Sequence, residues 1–514
     1  MGASLVEHTA KHRLGTSAVL DRATPGIAVD QGCESRSPAI LYFDLFDEAA
    51  LDRLESAVFR TLSEVGCVVQ DEAILDALES AGSTVDRSTQ TARFPEKLAL
   101  EVTAEQKRHP WQPPRATQPF AQGPFELGVG LHVAQFYYDW AKQKRRPGNV
   151  EDFLHVVRFG DGHGVGPVDH PLLLRDEPPM VECLEALYLL LEHSSRPGGT
   201  YLHYGQQAPY LAEIGEIWSN DRTRFLSACV FAATPLRFDR RGCSVFRAMV
   251  HHGLAPWVGT MAVSGASAPI TPAGAIVTGA AECLAGWIIL RILGTDPPYG
   301  AGVATGSLNM RTGHAGFGSP EAMLQDLGAV ELCRRRWGGH VGVAGQANYT
   351  DARTPGIQAA YERSLEGLWV AAVAGSHPNV GSGLIDSGKT LCLEQLIIDE
   401  EVGRAHWRVA SGLEVTDETI DLKDILAVGT GQDKSHMETE HTLKHYRECY
   451  HNRLFDVSPY ADGDEDARNR RVLERAHEIV VETEKQYVPP DVDRHKLAAV
   501  RKVIDRARAD LAHE

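Results

Sequence analysis

The sequence lacks paired cysteines. Its nine cysteines are spread singly over 514 residues, and no Cys-x-x-Cys occurs. A disulfide framework is typical of short secreted chains with closely spaced cysteines, and cysteine zinc sites use Cys-x-x-Cys pairs. We therefore expect reduced thiols in a cytoplasmic protein, and neither a disulfide-stabilised fold nor a metal centre.

Positive charge is also scarce. The chain carries 51 Lys and Arg against 69 Asp and Glu, so its formal net charge is −18. Nucleic acids and anionic membranes bind basic surfaces, and the short basic cluster at 142–146 is too small to supply one. The composition predicts no nucleic-acid partner and no membrane partner.

Export and membrane signals are absent from the pattern as well. The first residues contain no apolar run of signal-peptide length, and Val6 stands where a myristoylation motif has Ser or Thr. The most apolar stretch, 272–293, is interrupted by Glu282 and Arg291. Such charges are costly in a bilayer, so we expect a buried helix.

The chain is longer than most single domains, and its composition changes along its length. Residues 1–38 are rich in turn formers and predict a disordered tail. Apolar residues at helical spacing predict a helical N-terminal region over 39–125, which closes with a Pro-rich boundary. A barrel-type catalytic domain over 126–465 and a charged, helical C-terminal extension over 466–514 follow.

After residue 196, short β-type runs alternate with amphipathic helical stretches. The predicted strands are 199–204, 226–233, 257–264, 301–307, 340–344 and, with a weaker pattern, 371–375. The predicted helices are 240–252, 272–293, 319–336 and 355–370. Such alternation indicates parallel strands joined by crossover helices. The predicted fold class is therefore α/β, a (β/α)8 TIM barrel with an N-terminal helical lead-in and C-terminal helices.

In such a barrel the chemistry lies in the loops after the strands. Here these loops are rich in Gly, Ser, Asn, Gln and Thr and poor in ionisable residues, which disfavours a general acid/base hydrolase. Aromatic residues fall near the predicted strand ends, and aromatic faces attract quaternary ammonium groups by about 0.5–2 kcal/mol per ring. These aromatic residues are Tyr201, Tyr204, Phe231, Trp257, Phe317 and Tyr349.

Two further motifs match known sites in spacing. Residues 383–390 satisfy the phosphate-loop pattern, but only eight residues separate Thr390 from the acidic Asp399, too few for a helix, a crossover and a second strand. His441 and His445 have the spacing of a zinc pair. Thr439 precedes them as a helix cap, and we interpret the segment as a solvated helix.

Several blocks in the second half resemble the trimethylamine methyltransferase family. The blocks are 266–274, 310–313, 350–353, 358–362 and 440–447, and 62–66 with 85–86 is similar to the family's lead-in. The resemblance spans about residues 40–485. It implies a (β/α)8 barrel that takes a methyl group from a methylated amine and delivers it to Co(I) of a separate corrinoid protein.

The archaeal trimethylamine members carry pyrrolysine in the loop that contains Thr350 and Asp351. Arg353 aligns with that position, and no pyrrolysine is present in any register. Members of the family without pyrrolysine resemble demethylases of quaternary amines such as glycine betaine. The resemblance therefore implies a small quaternary amine as substrate and a corrinoid (cobalamin) held by the partner protein.

The candidate catalytic residues are Arg353 and Asp351. The candidate substrate-binding residues are Tyr201, His203, Tyr204, Phe231, Trp257, Asn309, Arg311, Gln346, Tyr349 and Asp386. Arg311 or Arg353 is suited to pair with a substrate carboxylate, because a guanidinium matches its two oxygens. Asp386 or Glu394 is a candidate to face the ammonium group.

Two alternatives stay open. A barrel enzyme of the same descent would use another methyl donor such as a sulfonium compound, and a binding protein would keep a betaine pocket without catalysis. Only the corrinoid-dependent enzyme requires a corrinoid-protein partner. The acidic surface and the charged C-terminal helices are compatible with a homo-oligomer.

Overall fold

The computed structural model describes residues 36–37, 44–111, 133–164, 168–344, 349–374, 380–455, 457 and 465–512. The predicted tail, most of the Pro-rich boundary and Gln346 lie outside these residues. Residues Ser35–Glu514 group into one compact unit.

The helices alternate with strands through most of the chain. They are α1 (Glu48–Arg60), α2 (Glu72–Ser80), α3 (Glu96–Gln106), α4 (Val150–His163), α5 (Glu182–His193), α6 (Ala208–Ser219), α7 (Arg240–His251), α8 (Pro272–Ile292), α9 (Pro320–Trp337), α10 (Ile357–Ala374), α11 (Leu393–Ala410), α12 (Asp417–Ile420), α13 (Leu422–Val428), α14 (Glu440–His445), α15 (Glu465–Glu484) and α16 (Arg494–Asp510).

The strands are short. They are β1 (Arg36–Ser37), β2 (Cys67–Val69), β3 (Thr84–Asp86), β4 (Thr91–Arg93), β5 (Phe136–Asp139), β6 (Lys144–Pro147), β7 (Cys229–Phe231), β8 (Arg237–Phe238), β9 (Trp257–Thr260), β10 (Val263–Ser264), β11 (Gly300–Val303), β12 (Gly306–Asn309), β13 (His314–Gly316), β14 (His340–Val343), β15 (Leu384–Ile385), β16 (Thr390–Leu391) and β17 (Leu413–Glu414).

The N-terminal helices begin at aspartate caps. The Asp47 carboxylate accepts from the Ala50 amide at 2.7 Å, and the Asp71 carboxylate accepts from the Ile74 amide at 3.0 Å. Each cap satisfies an amide that would otherwise lack a partner in the first turn. These contacts fix the starts of α1 and α2 in the N-terminal region.

A four-stranded parallel sheet forms the centre of the second half, in the order β14-β11-β9-β7. Its side chains alternate between two faces. Val230, Val258, Val303 and Val341 belong to one face and are buried in the main core, which also includes residues of α7, α8 and α9. We call this the outer face, and the opposite side of the same sheet the inner face.

Other segments extend the parallel pairing. Strand β5 pairs in parallel with β16, and single parallel bridges join Ala134 to Leu172 and Val168 to Pro197. The described residues thus form a mixed α/β protein with parallel strands and crossover helices, as predicted. Over those residues the strands group into separate sheets, and a closed eight-stranded barrel is not detected, because some neighbours share only one bridge.

Two predicted strands are wrong. Residues 371–374 continue α10, because the alanine-rich run extends the preceding helix. Residues 199–203 form no strand, since this extended segment makes only isolated backbone contacts with its neighbours.

One helix of the described part is long and apolar enough to cross a membrane, namely α8. Most of its residues are buried inside the protein, including Glu282, which accepts from the Leu236 amide at 2.8 Å. The predicted buried helix is therefore confirmed.

The C-terminal helices pack on the same chain. Helix α15 contacts α11 and α4, and α16 contacts α6 and α5. Arg501 on α16 donates to both carboxylate oxygens of Glu185 on α5, at 2.8 and 2.9 Å. Ion pairs of this kind join the C-terminal helices to the rest of the described chain.

Candidate functional site

The inner face of the parallel sheet combines aromatic rings with glycines. A Cβ built on Gly259 would lie 2.5 Å from the Phe231 ring, and one built on Gly300 would lie 2.8 Å from the Trp257 ring. The two rings therefore lie directly over glycines of the neighbouring strands. Any side chain at those glycines would displace the rings.

Space remains beside these rings. Gly342 of β14 belongs to the inner face, and a Cβ built there would meet no described atom within 4 Å. Gly342, Phe231 and Trp257 are all partly solvent-accessible, whereas Val341 on the outer face is buried. The sheet thus has a packed outer face and an accessible, largely apolar inner face.

Tyr201 joins this face from the segment that precedes β7. Its hydroxyl donates to the Cys229 carbonyl oxygen at 2.6 Å, and burial raises the pKa of the phenol. Tyr201 is therefore a neutral group held in place by the backbone of β7. Its ring lies 5.1 Å from the His203 ring.

Tyr349 supplies another aromatic ring after β14. Its ring centroid is 5.8 Å from that of Phe317, and burial raises the pKa of its phenol. The Tyr349 ring packs against Gly388, where the backbone has a φ of 79° and a side chain would collide with the ring. Glycine is therefore required at position 388 for both reasons.

Several hydrogen bonds hold the Asp351 carboxylate near the sheet. It accepts from the amides of Phe317 and Gly318, at 2.9 and 3.2 Å, and from the Ser387 hydroxyl at 2.9 Å. His314 lies close, with its Nε2 at 4.0 Å from Asp351 Oδ1 and 3.5 Å from Ser387 Oγ. These contacts fix the orientation of a carboxylate that remains partly accessible.

The turn that presents Ser387 is strained. Asp386 and Ser387 both have a φ of 55°, in the left-handed region that non-glycine residues rarely adopt. Their amides donate to the carbonyls of Ala352 and Thr350, both at 2.7 Å. Asp386 forms an ion pair with Arg145, so its carboxylate already has a cationic partner. Strain of this kind is concentrated at functional sites.

Buried acids surround this region in their neutral form. Burial raises the pKa of Glu366 to about 8 and that of Asp326 to about 8. Asp326 accepts from the Thr305 amide at 2.6 Å. Ionised acids close to the inner face are therefore fewer than the sequence suggests.

The structure places the sequence-predicted residues in different environments. Tyr201, Phe231 and Trp257 line the inner face, and Tyr349 and Asp351 follow β14. Asn309 and Arg311 are exposed at the tip of the β12–β13 hairpin, and Arg353 is exposed before α10. None of these three therefore lies on the inner face.

Two other predicted residues make local contacts. His203 Nε2 lies 3.6 Å from Glu182 Oε2, and Tyr204 precedes a short turn in which its amide donates to the Gln207 side chain at 2.9 Å. Both residues are only partly buried. Together with the buried His170, His203 and Glu182 form a cluster that could hold a metal ion.

Sequence reasoning missed Ser387 and His314. Ser387 lies inside the stretch that matches a phosphate loop, and the structure folds that stretch into the β15–β16 hairpin. A phosphate loop must open a helix. The hairpin confirms the argument against nucleotide binding there, and the strained Asp-Ser pair before Gly388 was the missed signal.

The predicted histidine pair, His441 and His445, lies on the short helix α14. The Thr439 side chain accepts from the Thr442 amide and caps α14, as predicted. His445 Nδ1 is 2.9 Å from Glu448, and the His441 and His445 ring centroids are 4.5 Å apart. Both side chains lie on a largely exposed helix.

A family model described as trimethylamine methyltransferase (MTTB) matches residues 20–512. The match covers nearly the whole chain, so the protein belongs to the trimethylamine methyltransferase family. The sequence-based recognition of this methyltransferase family is thereby confirmed.

The chain is also similar to individual methyltransferases over much of its length. Trimethylamine methyltransferase MttB of Desulfitobacterium hafniense is 23% identical over 90% of this chain and 93% of its own length. The glycine betaine methyltransferase of the same species is 24% identical over 88% of this chain and 94% of its own length. A trimethylamine methyltransferase of Methanosarcina acetivorans is 30% identical, over 53% of this chain and 54% of its own length. That last alignment spans about half of each protein.

Among solved structures, the monomethylamine methyltransferase of Methanosarcina barkeri aligns with a TM-score of 0.42 and 13% identity, over 85% of this chain and 88% of the other.

Proposed function

We propose that this protein is a methyltransferase that takes a methyl group from a small quaternary amine of the betaine class and delivers it to Co(I) of a separate corrinoid protein. The observation that carries the proposal is the inner face, where Phe231 and Trp257 lie over glycines and a Cβ at Gly342 would meet no described atom within 4 Å. Relatives that bear the names of methylated-amine methyltransferases support the reaction class.

The chemistry of a quaternary amine suits such a surface. Its nitrogen already carries the positive charge that makes the neutral amine a leaving group, so transfer of the methyl group needs no acid or base from the protein. Binding then depends on position and on exclusion of water. Phe231, Trp257 and Tyr201 offer ring faces to the ammonium group.

The corrinoid is the methyl acceptor in this proposal, and it enters as a substrate carried by the partner protein. Reduced cobalt is a strong nucleophile, and it supplies the attack on the methyl carbon. The free thiols of the eight described cysteines fit a reducing compartment, and we propose the cytoplasm. We also propose a homo-oligomer.

Pyrrolysine chemistry is not part of the proposal. Arg353 aligns with the pyrrolysine position, and its side chain is exposed to solvent. A tertiary amine such as trimethylamine would require separate activation. We therefore propose a quaternary substrate for this chain.

The proposal also includes a closed barrel. Parallel pairing of β5 with β16 and the bridges at 134–172 and 168–197 extend the parallel arrangement on either side of the four-stranded sheet. Eight such segments would enclose the inner face and place Asp351 and Tyr349 at the carboxyl ends of the strands.

The test mixes the full chain with Co(I) cobalamin and with glycine betaine, proline betaine, carnitine, trimethylamine or a sulfonium compound. We expect the absorbance change of cobalt methylation with one quaternary amine and none with trimethylamine. Trp257→Leu and Phe231→Leu each remove a ring worth about 0.5–2 kcal/mol, so calorimetry is expected to show affinity falling by about 2- to 30-fold.

Trp218→Leu on α6 is the matched control, since Trp218 is a partly buried tryptophan away from the inner face. We expect it to leave betaine affinity unchanged. Tight betaine binding with no methyl transfer would overturn the enzyme and favour a binding protein. Methylation from the sulfonium compound alone would overturn the quaternary-amine substrate.

A further inference from the structure

Three side chains with metal-binding atoms meet where two neighbouring extended segments end. His170 follows the bridge at Val168, His203 follows the segment that begins at Pro197, and Glu182 opens α5. Their ligand atoms all lie within 4.8 Å of one another. His170 Nε2 is 3.0 Å from Glu182 Oε1, and His203 Nε2 is 3.6 Å from Glu182 Oε2.

Hydrogen bonds hold the His170 ring in an orientation that suits a metal ligand. The Thr200 hydroxyl has one proton, which it donates to the Cys183 carbonyl at 3.0 Å. With the Thr200 proton on the Cys183 carbonyl, Thr200 Oγ1 can accept from His170 Nδ1 at 3.1 Å, which leaves His170 Nε2 available as a metal ligand.

The carboxylate between the two histidines is also held in place. Glu182 Oε1 already accepts from the Leu174 amide at 2.8 Å, which fixes the carboxylate. Glu182 Oε2 and His203 Nε2 are both buried, with no hydrogen-bond partner among the described atoms. The Glu182 side chain is only 3% exposed, and unpaired buried polar atoms of this kind are costly.

We infer that His170, Glu182 and His203 bind a divalent metal ion of the zinc class. Two histidine nitrogens and one carboxylate are a known donor set for zinc with an open fourth position. Ligand atoms of a tetrahedral zinc ion lie about 3.4 Å apart. The two histidine-to-carboxylate distances, 3.0 and 3.6 Å, lie on either side of that value. The Thr200 contact is the outer hydrogen bond that orients a metal-bound histidine.

The fourth position is left to a water molecule or to an oxygen of a bound ligand, because the cluster in the described ranges consists of these three side chains. His203 is 18% exposed and its ring lies 5.1 Å from Tyr201, which belongs to the inner face. The ion would therefore lie beside the proposed substrate surface. The inference departs from the sequence-based expectation of no metal, and it does not depend on the proposed reaction.

The test measures metal binding alone, without betaine or cobalamin. The full chain is stripped with a chelator, loaded with Zn2+ or Co2+, desalted and assayed by mass spectrometry of metals. We expect about one ion per chain and a visible Co2+ absorption band of a four-coordinate site with nitrogen and oxygen ligands. His203→Gln and Glu182→Gln are expected to weaken Co2+ binding by about 10-fold or more.

His252→Gln, at the end of α7, is the matched control and is expected to retain the ion. Circular dichroism verifies that each variant is folded. The inference is overturned if the folded wild-type chain retains no stoichiometric ion. It is also overturned if His203→Gln binds Co2+ as tightly as the wild type, or if nuclear magnetic resonance of the loaded protein shows a protonated His170 Nε2.

Discussion

The Ser387 hydroxyl donates a 2.9 Å hydrogen bond to Asp351 Oδ1 across 36 residues of chain. This bond joins the strained turn of the β15–β16 hairpin to the segment after β14. The same carboxylate accepts from the amides of Phe317 and Gly318. One side chain therefore holds three loops together beside the inner face.

Asp351→Asn is expected to lower the free energy of unfolding by about 1–3 kcal/mol. The asparagine amide replaces one acceptor oxygen with an NH2 group. If the NH2 group takes the place of Oδ2, the Gly318 amide loses its acceptor. If it takes the place of Oδ1, the Phe317 amide and the Ser387 hydroxyl both lose theirs. Urea unfolding followed by circular dichroism measures the change. Ser387→Ala is the control, because it removes only one of the three donors and is expected to cost less. Equal stability of Asp351→Asn and wild type would contradict the role given to this carboxylate.

Gly342→Leu is expected to abolish betaine binding while changing the free energy of unfolding by no more than about 1 kcal/mol. The new side chain enters open space on the inner face, and leucine is better suited to a strand than glycine. Calorimetry measures the affinity and thermal unfolding measures the stability. Gly259→Leu is the contrasting variant, since its side chain meets the Phe231 ring and is expected to destabilise the fold. Unchanged betaine affinity in Gly342→Leu would place the ligand elsewhere.

Glu366→Gln is expected to stabilise the protein at neutral and alkaline pH. Burial raises the pKa of Glu366 to about 8 from an ordinary value of 4.5, so the folded protein keeps a proton that the unfolded chain releases. Wild-type stability therefore falls as pH rises between about 4.5 and 8. The amide carries no such cost, and the expected gain at pH 8 is about 1 kcal/mol or more. Unfolding series from pH 5 to 8 measure the slope, and parallel slopes for the two proteins would argue against a neutral Glu366.

His406→Asn is expected to reduce the loss of stability in mild acid. Burial lowers the pKa of His406 to about 4 from 6.5, so the folded protein holds the ring neutral while the unfolded chain takes up a proton. Stability is therefore complete above pH 6.5 and is lost as pH falls toward 4. Thermal unfolding between pH 4.5 and 7 measures this, with His252→Asn as a control on a more exposed ring. The same acid slope in His406→Asn and wild type would contradict the assignment.

Much of the architecture follows from local sequence. Asp47 and Asp71 cap their helices, and α8 and α9 have nearly their predicted bounds. Strands β7, β9 and β14 lie within predicted strands, and β11 overlaps one but begins a residue earlier. Capping and apolar periodicity involve only a few neighbouring residues, so they can be recognised in the sequence without the structure. The ordered blocks of the second half were also sufficient to recognise the methyltransferase family.

The site itself depends on contacts between distant segments. Trp257 and Phe231 were predicted from their place at strand ends, but the glycines beneath their rings belong to neighbouring strands. Arg311 and Arg353 were chosen for their charge, and the structure leaves both exposed. A guanidinium alone carries no information about the direction in which its loop will point.

From local sequence patterns, the α/β class, the helices α8 and α9, most strands of the four-stranded sheet and the family were predictable, because these depend on short windows of sequence. Packing between distant segments folds residues 383–390 into a hairpin, brings Ser387 and His314 to Asp351, and brings His170, Glu182 and His203 together. The physical reason is that each of these groups satisfies its polar atoms with partners from other loops. Which partners are available is set by how the strands and helices pack against one another, and no local pattern encodes that packing.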